Sequence, residues 1–256
     1  FRKMAVLLAL FDSFVMVEAE VQDNYSPECC ECMYMGTTPL GLEDKSLKKI
    51  CQRYNGKPRF VTLYDTLGHI PVYSMYEPQL STVSDFGEMQ PFPQGDLHRS
   101  FEDAQAVLED YTNTVNLERG HLNPDEHQSD PNEKAATYTL TNVVPQVREF
   151  NIGPWKTHEH TIRHRLNNYC RGTAFVVTGV TTSGNMIRRH NIDRVAERSK
   201  LPAYATHGLN EKERPEVVEI SVQQLDNFLK SVTFVDKTFQ IFYDNCVPPD
   251  NGLHMP

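Results

Sequence analysis

The sequence predicts an α+β fold, because extended and helical patterns are mixed along the chain without a regular alternation. Two apolar runs rich in β-branched and aromatic residues, at residues 59–64 and 70–75, flank a short turn and predict a β-hairpin. The longest helical pattern covers residues 151–168, with Trp155, Ile162 and Leu166 on one face. Hydrophobic residues make up 39% of the 256 residues, which is enough for a core, so we expect a globular protein.

The same patterns predict the remaining elements. They are loops at 80–98 and 127–134, a helix at 101–111, strands at 115–122, 136–144, 174–180 and 234–243, a turn at 182–184, and a segment at 217–232 that begins extended and becomes helical. We expect Pro145 to end the strand before it, because proline cannot donate to a β-ladder. Asn151 is expected to cap the long helix, with Pro154 in its first turn. The charged segment 191–204 is expected to be poor in strand structure.

The N-terminus has the pattern of a secretory signal. Arg2 and Lys3 precede an apolar run at residues 4–17, and Val17-Glu18-Ala19 resembles a small-residue cleavage site. We therefore expect a signal peptide at residues 1–19, cleavage after Ala19 and a secreted protein; a buried N-terminal helix is the alternative. The run is too short to cross a bilayer, which takes about 20 residues, and no later segment qualifies.

Cysteine usage agrees with export. The chain has six cysteines, an even number that predicts disulfides, with about 15 pairings left open. Cys29, Cys30 and Cys32 have metal-like spacing, but zinc sites need a second pair and none follows. Asn24 begins an Asn-Tyr-Ser sequence, which is a glycosylation acceptor. We divide the chain into the signal peptide, a cysteine-rich segment at 20–55, one main domain at 56–248 and a tail at 249–256.

Charge gives a mixed indication about nucleic acid. The net charge of −9 and a pI near 5.6 are unlike those of a typical nucleic-acid-binding domain. A local basic strip nevertheless runs from residue 156 to 171, opposed only by Glu159. Its members are Lys156, His158, His160, Arg163, His164, Arg165 and Arg171. A phosphate-binding face and an ordinary solvated helix face both fit this pattern.

The candidate site combines His121, Asn151, Glu159 and the arginines Arg119 and Arg163. A histidine titrates near neutrality, so it can take a proton from an attacking water. An amide oxygen can hold Mg²⁺, and arginines stabilise the negative charge that develops on phosphate. Glu159 and Arg163 are about 40° apart around a helix axis and can face one cleft. The combination predicts phosphodiester hydrolysis.

The same residues carry a resemblance to a known family. The stretches are Glu118-Arg119-Gly120-His121, Asn142-Val143-Val144-Pro145-Gln146, and Phe150-Asn151 followed by Trp155 and Glu159. They resemble the signature of the DNA/RNA non-specific endonucleases, and the similarity covers roughly residues 55–245. Glu118 stands where that family usually has aspartate. Residues 50–53, 59–64 and 70–74 further resemble a vertebrate branch of the family.

The resemblance implies a ββα-metal nuclease fold, in which a mixed or antiparallel sheet carries the metal-site helix. It also implies an endonuclease that uses Mg²⁺, with Mn²⁺ as a substitute, and cuts DNA and RNA without sequence preference. The implied roles are His121 as general base, Asn151 as metal ligand, Glu159 orienting a metal-bound water, Arg119 and Arg163 contacting phosphate, and Glu118 and Asn142 as supporting residues.

Several alternatives stay open. The chain could be a catalytically weak family member that binds nucleic acid or a protein outside the cell. His127 and His158 could lie near the cleft and compete with His121. A zinc site built on His158, His160 and His164 is disfavoured, because no glutamate follows the first histidine as in the metalloprotease pattern. Trp155 is interpreted as a core residue by its helical phase, and not as a platform for stacking bases.

Overall fold

The computed structural model describes residues 17–79, 103–112, 114–203, 206–212, 216–232 and 235–242. Most of the expected signal peptide, the loop expected at 80–98, Cys246 and the tail expected at 249–256 lie outside the described residues. Within the described ranges, helices and antiparallel strands are mixed, so the predicted α+β class is confirmed. No helix in these ranges is long and apolar enough to cross a membrane.

Eleven strands form two sheets in the described part of the chain. They are β1 (Val17–Gln22), β2 (Leu47–Tyr54), β3 (Lys57–Asp65), β4 (Ile70–Tyr76), β5 (Leu117–His121), β6 (Val143–Val147), β7 (Val176–Gly179), β8 (Thr181–Arg189), β9 (Ile192–Ala203), β10 (Thr206–Leu209) and β11 (Val217–Glu219). The large sheet has nine strands in the order β1-β2-β3-β4-β7-β9-β10-β11, with β8 paired to β9. Strands β5 and β6 form a separate antiparallel pair.

The helices are α1 (Pro27–Cys30), α2 (Pro131–Thr137), α3 (Arg148–Phe150), α4 (Lys156–Tyr169) and α5 (Val222–Val232). A π-helical turn, Asn151–Trp155, joins α3 to α4. The predicted change from extended to helical structure at 217–232 is confirmed by β11 and α5. The site region therefore has the chain order strand, strand, helix.

The predicted hairpin is confirmed by the antiparallel pairing of β3 with β4. Strand β2 precedes it through a tight turn at Asn55 and Gly56, whose φ angles are 53° and 70°. Positive φ at both positions is typical of a type I′ hairpin turn, which matches the twist of the two strands. The cysteine-rich segment at 20–55 thus contributes all of strand β2 to the main sheet, together with the end of β1 and the short helix α1.

The N-terminal strand and a disulfide extend this sheet. Strand β1 pairs with β2, so cleavage after Ala19 would fall inside a strand. Cys29 in α1 and Cys51 in β2 form a disulfide with a Cα–Cα distance of 6.0 Å. Among the described cysteines, Cys32 and Cys170 carry free thiols.

Two predictions near the site were wrong. Residues 136–142 are not extended: α2 ends at Thr137, a 3₁₀ turn covers Leu140–Asn142, and the strand begins at Val143. Pro145 lies inside β6, opposite Arg119. Proline is tolerated there because β5 and β6 form only a two-stranded sheet, so the missing N–H can face outward.

The predicted helix cap at Asn151 was also wrong. The helical path begins earlier, at Arg148, after Val147 in an extended conformation. Asn151 has helical angles of φ −59° and ψ −53° and opens the π-helical turn, which also contains Pro154. A π-helical turn changes the hydrogen-bond pattern locally and therefore accommodates a proline inside a helical path; such turns occur frequently at functional sites.

Several other helices, strands and loops differ from the structure predicted from the sequence. Residues 103–107 are not helical, and only the 3₁₀ turn Leu108–Tyr111 follows them. The expected loop at 127–134 contains α2, capped by the Asp130 side chain at the backbone N–H groups of Asn132 and Glu133. The strand expected at 174–180 is confirmed as β7, but β8 runs through the turn expected at 182–184. Residues 235–242 form a single β-bridge, Leu40 to Gln240, and no strand.

The prediction that the charged segment 191–204 would be poor in strand structure was wrong, because most of it forms the long strand β9. Charge does not prevent strand formation here, since Arg194 points inward and Asp193 is exposed. Arg194 Nε donates to Asp110 Oδ1 at 3.0 Å, and both residues are buried. A turn at His190 and Asn191, with φ of 52° and 65°, connects β8 to β9.

The core places α4 against the main sheet. Trp155 is 2% exposed, which confirms it as a core residue. One cluster contains Ile70, Leu122, Val144, Phe150, Trp155 and Ala196. A second cluster packs Ile162 and Leu166 of α4 on Phe60, Tyr76 and Val176. The predicted buried face of the helix is therefore confirmed.

Candidate active site

Strand β5 carries the motif at residues 118–121, and β6 holds it in place. The two strands pair so that His121 faces Val143 and Glu118 faces Gln146. A Cβ atom at Gly120 would lie 1.5 Å from Oε1 of Gln146, so only glycine fits at this position without moving the buried Gln146 side chain. A larger residue at position 120 would therefore have to displace the buried Gln146 side chain.

The His121 ring is largely enclosed. It packs edge-on against Tyr138, with ring centroids 5.0 Å apart, and its buried Nε2 has no hydrogen-bond partner among the described residues. The pKa of His121 is lowered to about 4, mainly by burial; the Asp125 carboxylate opposes this shift, and the positive charge of Arg119 adds to it. The ring is therefore neutral near pH 7, which is the form that can accept a proton.

Asn151 is held by the residue that begins the motif. Its Nδ2 donates to Glu118 Oε2 at 3.0 Å, and Glu118 also forms an ion pair with Arg148. Oδ1 of Asn151 accepts no hydrogen bond from the described residues. An amide oxygen beside a carboxylate suits a hard divalent cation such as Mg²⁺, which prefers oxygen ligands and keeps several waters. The residues present therefore fit such an ion.

Glu159 and Arg163 both lie on α4, one turn apart. The Glu159 carbonyl oxygen accepts a hydrogen bond from His127 Nε2 at 2.8 Å. Arg163 is only 9% exposed. Burial raises the pKa of Glu126 and the charge of Arg163 opposes that rise, whereas burial lowers the pKa of His127 and the charge of Arg163 adds to that shift. The 3₁₀ turn Asp125–His127 thus connects the end of β5 to the helix that carries these two residues.

Asn142 is completely buried and uses all of its hydrogen-bonding capacity. Its Oδ1 accepts from Ser74 Oγ at 2.9 Å and from the Asn123 backbone N–H at 3.0 Å. Its Nδ2 donates to the carbonyl oxygens of Asn123 and Thr137, at 3.0 and 2.9 Å. Asn142 therefore fastens the chain after His121 to strand β4, which is a supporting position and not a place for contact with substrate.

The predicted residues fall into three groups. Arg119 and His121 lie together on β5, close enough for Arg119 to affect the histidine pKa. Glu118 joins Asn151 through a hydrogen bond, and Glu159 and Arg163 lie further along the same helical path. The catalytic roles inferred from the resemblance stay predictions.

The basic strip does not form one face. His158 is buried against Trp155 at a ring distance of 5.6 Å, and burial lowers its pKa to about 4. Arg165 pairs with Glu219 at 2.8 Å, whereas Lys156 and Arg171 are exposed. Within the described ranges, no cluster of three or more histidine, cysteine, aspartate or glutamate residues could hold a metal, and His164 instead accepts a hydrogen bond from Asn168.

Three residues near the site were not assigned roles from the sequence. Tyr138 donates to Asp125 Oδ2 at 2.6 Å, and both lie beside His121. His127, which was considered as a competing histidine, is buried and uses both ring nitrogens in hydrogen bonds. Only the spacing of Asp125, four residues after His121, gave a signal in the sequence. The partners Tyr138 and Glu159 are distant in sequence.

Comparison with known proteins places these residues in a wider context. Residues 46–234 match the family described as DNA/RNA non-specific endonuclease. The human "Endonuclease domain-containing 1 protein" is 31% identical over 190 residues, which is 66% of this chain and 36% of that protein. The mouse protein of the same name is 29% identical over 182 residues, covering 63% and 36%. The matches thus span about a third of the length of these curated relatives.

The chain is also similar to solved structures. One of them is a chain of the "Crystal structure of the EndoG/EndoGI complex: Mechanism of EndoG inhibition", with 18% sequence identity and a TM-score of 0.46. The similarity covers 64% of this chain and 72% of that chain.

Proposed function

Because the chain belongs to the DNA/RNA non-specific endonuclease family, we propose that it is a secreted, divalent-metal-dependent endonuclease that cuts DNA and RNA without sequence preference. The match to this family and to the two Endonuclease domain-containing 1 proteins confirms the resemblance found in the sequence. The observation that carries the proposal is the neutral His121 ring, on the same strand as the Glu118 carboxylate that holds Asn151.

His121 supplies the base in this proposal. A water that attacks phosphorus must lose a proton, and a neutral imidazole can accept that proton. Burial keeps the ring neutral, and the nearby Asp125 carboxylate stabilises the charged imidazolium once the proton has moved. Tyr138 packs against the ring and donates to Asp125, so both neighbours of the base are fixed.

Asn151 would hold the metal ion through Oδ1, and Glu159 would orient a water beside it. Mg²⁺, when bound, would supply positive charge next to the phosphate oxygens. Glu118 keeps the Asn151 amide in one orientation, because Nδ2 is engaged with its carboxylate. Arg119 and Arg163 would contact phosphate, and such contacts carry no sequence information. Cutting without base preference follows from this arrangement.

Two features support secretion as part of the proposal. Disulfides persist in oxidising compartments, and Cys29 is bonded to Cys51. Asn24, which begins the glycosylation sequence, is exposed in the loop between β1 and α1, where its Oδ1 accepts a hydrogen bond from Lys49 Nζ at 3.0 Å. A bulky glycan suits a surface position of this kind.

A second candidate function is binding of nucleic acid or a protein without effective catalysis. The observation that favours it is the state of the basic strip, since Arg163 is buried and Arg165 is paired with Glu219. Fewer free cations leave weaker attraction for phosphate in a chain with a net charge of −9.

Cleavage of supercoiled plasmid and of single-stranded RNA separates the two candidates. The secreted protein should cut both with Mg²⁺ and neither with EDTA. His121→Ala should lower the rate by about 10²–10⁴-fold, the usual contribution of a general base. His190→Asn is the matched control, because His190 is an exposed turn residue with positive φ that asparagine tolerates.

The variants must first give the wild-type circular dichroism spectrum and thermal midpoint. Wild-type activity that survives in folded His121→Ala would contradict the assignment of the base. A folded, oxidised wild-type protein that binds but does not cut nucleic acid would instead favour the binding function.

A further inference from the structure

We propose that His127 is a positioning residue of this active site, which fixes the helix carrying Glu159 and Arg163 relative to His121. The role rests on the proposed nuclease function. His127 lies six residues after His121, in the 3₁₀ turn Asp125–His127, and is 3% exposed. An apolar side chain could fill this buried volume without any polar atom that needs a hydrogen-bond partner. Packing alone therefore does not explain a histidine at this position.

The hydrogen bonds of His127 determine its tautomer. Nε2 lies 2.8 Å from the Glu159 carbonyl oxygen, which can only accept, so Nε2 carries the proton. Nδ1 is then unprotonated and accepts from the Tyr76 hydroxyl at 2.9 Å. Both ring nitrogens are satisfied: rotation of the ring would lose both bonds, and a change of tautomer would lose the bond to the Glu159 carbonyl oxygen. His127 is therefore a fixed connector and not a competing base.

The connector joins three elements that meet at the site. Tyr76 ends strand β4, His127 ends the short turn after β5, and Glu159 lies in the first turn of α4. The His127 carbonyl oxygen also accepts from the Gln79 backbone N–H at 2.9 Å, which fastens the turn to the chain that follows β4. The positions of β4, the turn and α4 are thus coupled through one residue.

The surroundings keep His127 neutral, so the pattern of donor and acceptor persists at neutral pH. Burial lowers the pKa of His127 to about 4, with smaller contributions in the same direction from His158 and Arg163. The hydrogen bond to Glu159 and the Asp125 carboxylate oppose the shift without cancelling it. Protonation of Nδ1 would reverse the hydrogen bond with Tyr76, so that the hydroxyl oxygen would accept from the ring instead of donating to it.

Loss of the His127 hydrogen bonds should affect the catalytic rate more than the binding of substrate. Glu159 and Arg163 are predicted to act on the metal-bound water and on phosphate, so their distance from His121 must be held closely. A displacement of about 1 Å at a reacting group can cost about 10²-fold in rate. Loss of the His127 connection should therefore lower kcat and leave KM nearly unchanged.

The first test measures the connector itself and needs no activity. Long-range ¹⁵N–¹H spectra of ¹⁵N-histidine-labelled protein distinguish the two tautomers and show whether a ring titrates. We expect His127 to show the Nε2–H form without protonation between pH 8 and 5.5. In Tyr76→Phe its Nδ1 shift should move, while Tyr73→Phe, a buried tyrosine on the same strand, should leave it unchanged. An Nδ1–H tautomer would overturn the proposal.

The second test compares His127→Leu with His127→Gln. Glutamine can place an amide N–H near the position of Nε2 and donate to the Glu159 carbonyl, whereas leucine cannot. We expect His127→Leu to lower kcat by about 10–100-fold, the range found for groups that orient active-site residues, with KM within about threefold of wild type. His127→Gln should have a kcat much closer to that of the wild type. Tyr73→Phe can lower the thermal midpoint, but its kcat should stay at the wild-type value.

The outcomes are distinguishable from failure of the nuclease proposal. Wild-type protein without Mg²⁺-dependent cleavage would remove the proposed function and this role with it. Wild-type cleavage that is unchanged in His127→Leu, or equally impaired in His127→Leu and His127→Gln, would remove the positioning role alone.

Discussion

At the scale of single residues, Glu118 connects two side chains with different exposure. It pairs with Arg148, whose side chain is 60% exposed, and it accepts a hydrogen bond from the half-buried Asn151. An exposed ion pair contributes little to stability, because water and salt screen it. The bond to Asn151 matters more for the proposed function, since it leaves the amide oxygen as the atom that would hold a metal ion.

We expect Glu118→Ala to raise the Mg²⁺ concentration for half-maximal cleavage by about 10–100-fold, the usual effect of losing an outer partner of a metal ligand. Glu118→Asp keeps the carboxylate and should have a smaller effect. Arg148→Ala is the control, because it removes the ion pair and leaves the Asn151 bond. Magnesium titrations of the initial cleavage rate would measure this, and equal effects of Glu118→Ala and Arg148→Ala would contradict it.

Much of the site was predictable at this scale, because short motifs carry residue type and spacing together. The sequence motif led to Glu118, His121 and Asn151, and the structure joins Glu118 to Asn151. The contacts of His127 with Tyr76 and Glu159 were not predictable, since both partners are far away in sequence. A burial-dependent pKa such as that of His121 also depends on neighbours that no local pattern specifies.

At the scale of elements, the β8–β9 hairpin depends on a buried ion pair. The Asp110 side chain is fully buried and meets Arg194 at 3.0 Å and Arg189 at 3.5 Å. A buried charge that loses its partner is strongly destabilising, because it keeps its desolvation cost without compensation. The hairpin is thereby fastened to the 3₁₀ turn Leu108–Tyr111.

We expect Asp110→Ala to lower the free energy of unfolding by about 3–5 kcal/mol, since it leaves two arginines without their buried partner. Asp193→Ala is the matched control in the same hairpin. It breaks the exposed Arg188–Asp193 pair and should cost at most about 1 kcal/mol. Urea unfolding at pH 7 would measure both, and similar losses would show that the Asp110 pair has no special role.

Elements were predictable where a periodic pattern was long and uninterrupted. Residues 59–75 and the buried face of α4 followed their apolar spacing. Strand β9 was missed because five of its twelve residues are charged, and only tertiary pairing of Arg194 makes an inward charge acceptable. The helix start was misplaced because asparagine is common both at caps and in other polar positions, so Asn151 gave an ambiguous local signal.

At the scale of the whole molecule, buried histidines link stability to pH. His127 and His158 have pKa values lowered to about 4, mainly by burial, against about 6.5 in an unfolded chain. Between pH 4 and pH 6.5 the two histidines therefore bind more protons in the unfolded chain than in the folded protein. The contribution of these two histidines to stability is therefore fully present above pH 6.5 and is lost as the pH decreases toward 4.

We expect each of these histidines to contribute a slope of up to about 1.4 kcal/mol per pH unit in this window. Half-buried carboxyls with raised pKa values, such as Glu126 and Glu133, act in the opposite sense, so variants must be compared with wild type. Urea unfolding at pH 7, 6 and 5 should show that the free energy of unfolding decreases less steeply with falling pH in His127→Gln than in the wild type. An unchanged slope would mean that His127 titrates normally in the folded state.

The path of the chain through the main sheet has a consequence for folding order. Strand β4 pairs directly with β7, with Tyr76 opposite Val176, and the entire strand–strand–helix unit of the site lies between them in sequence. Closing a loop of about 100 residues costs about 4 kcal/mol of chain entropy if that loop is unstructured. The cost falls when β5, β6 and α4 associate first and bring their own ends together. We therefore expect the site unit to form before the two halves of the sheet join, and the joining of β4 to β7 to limit the folding rate.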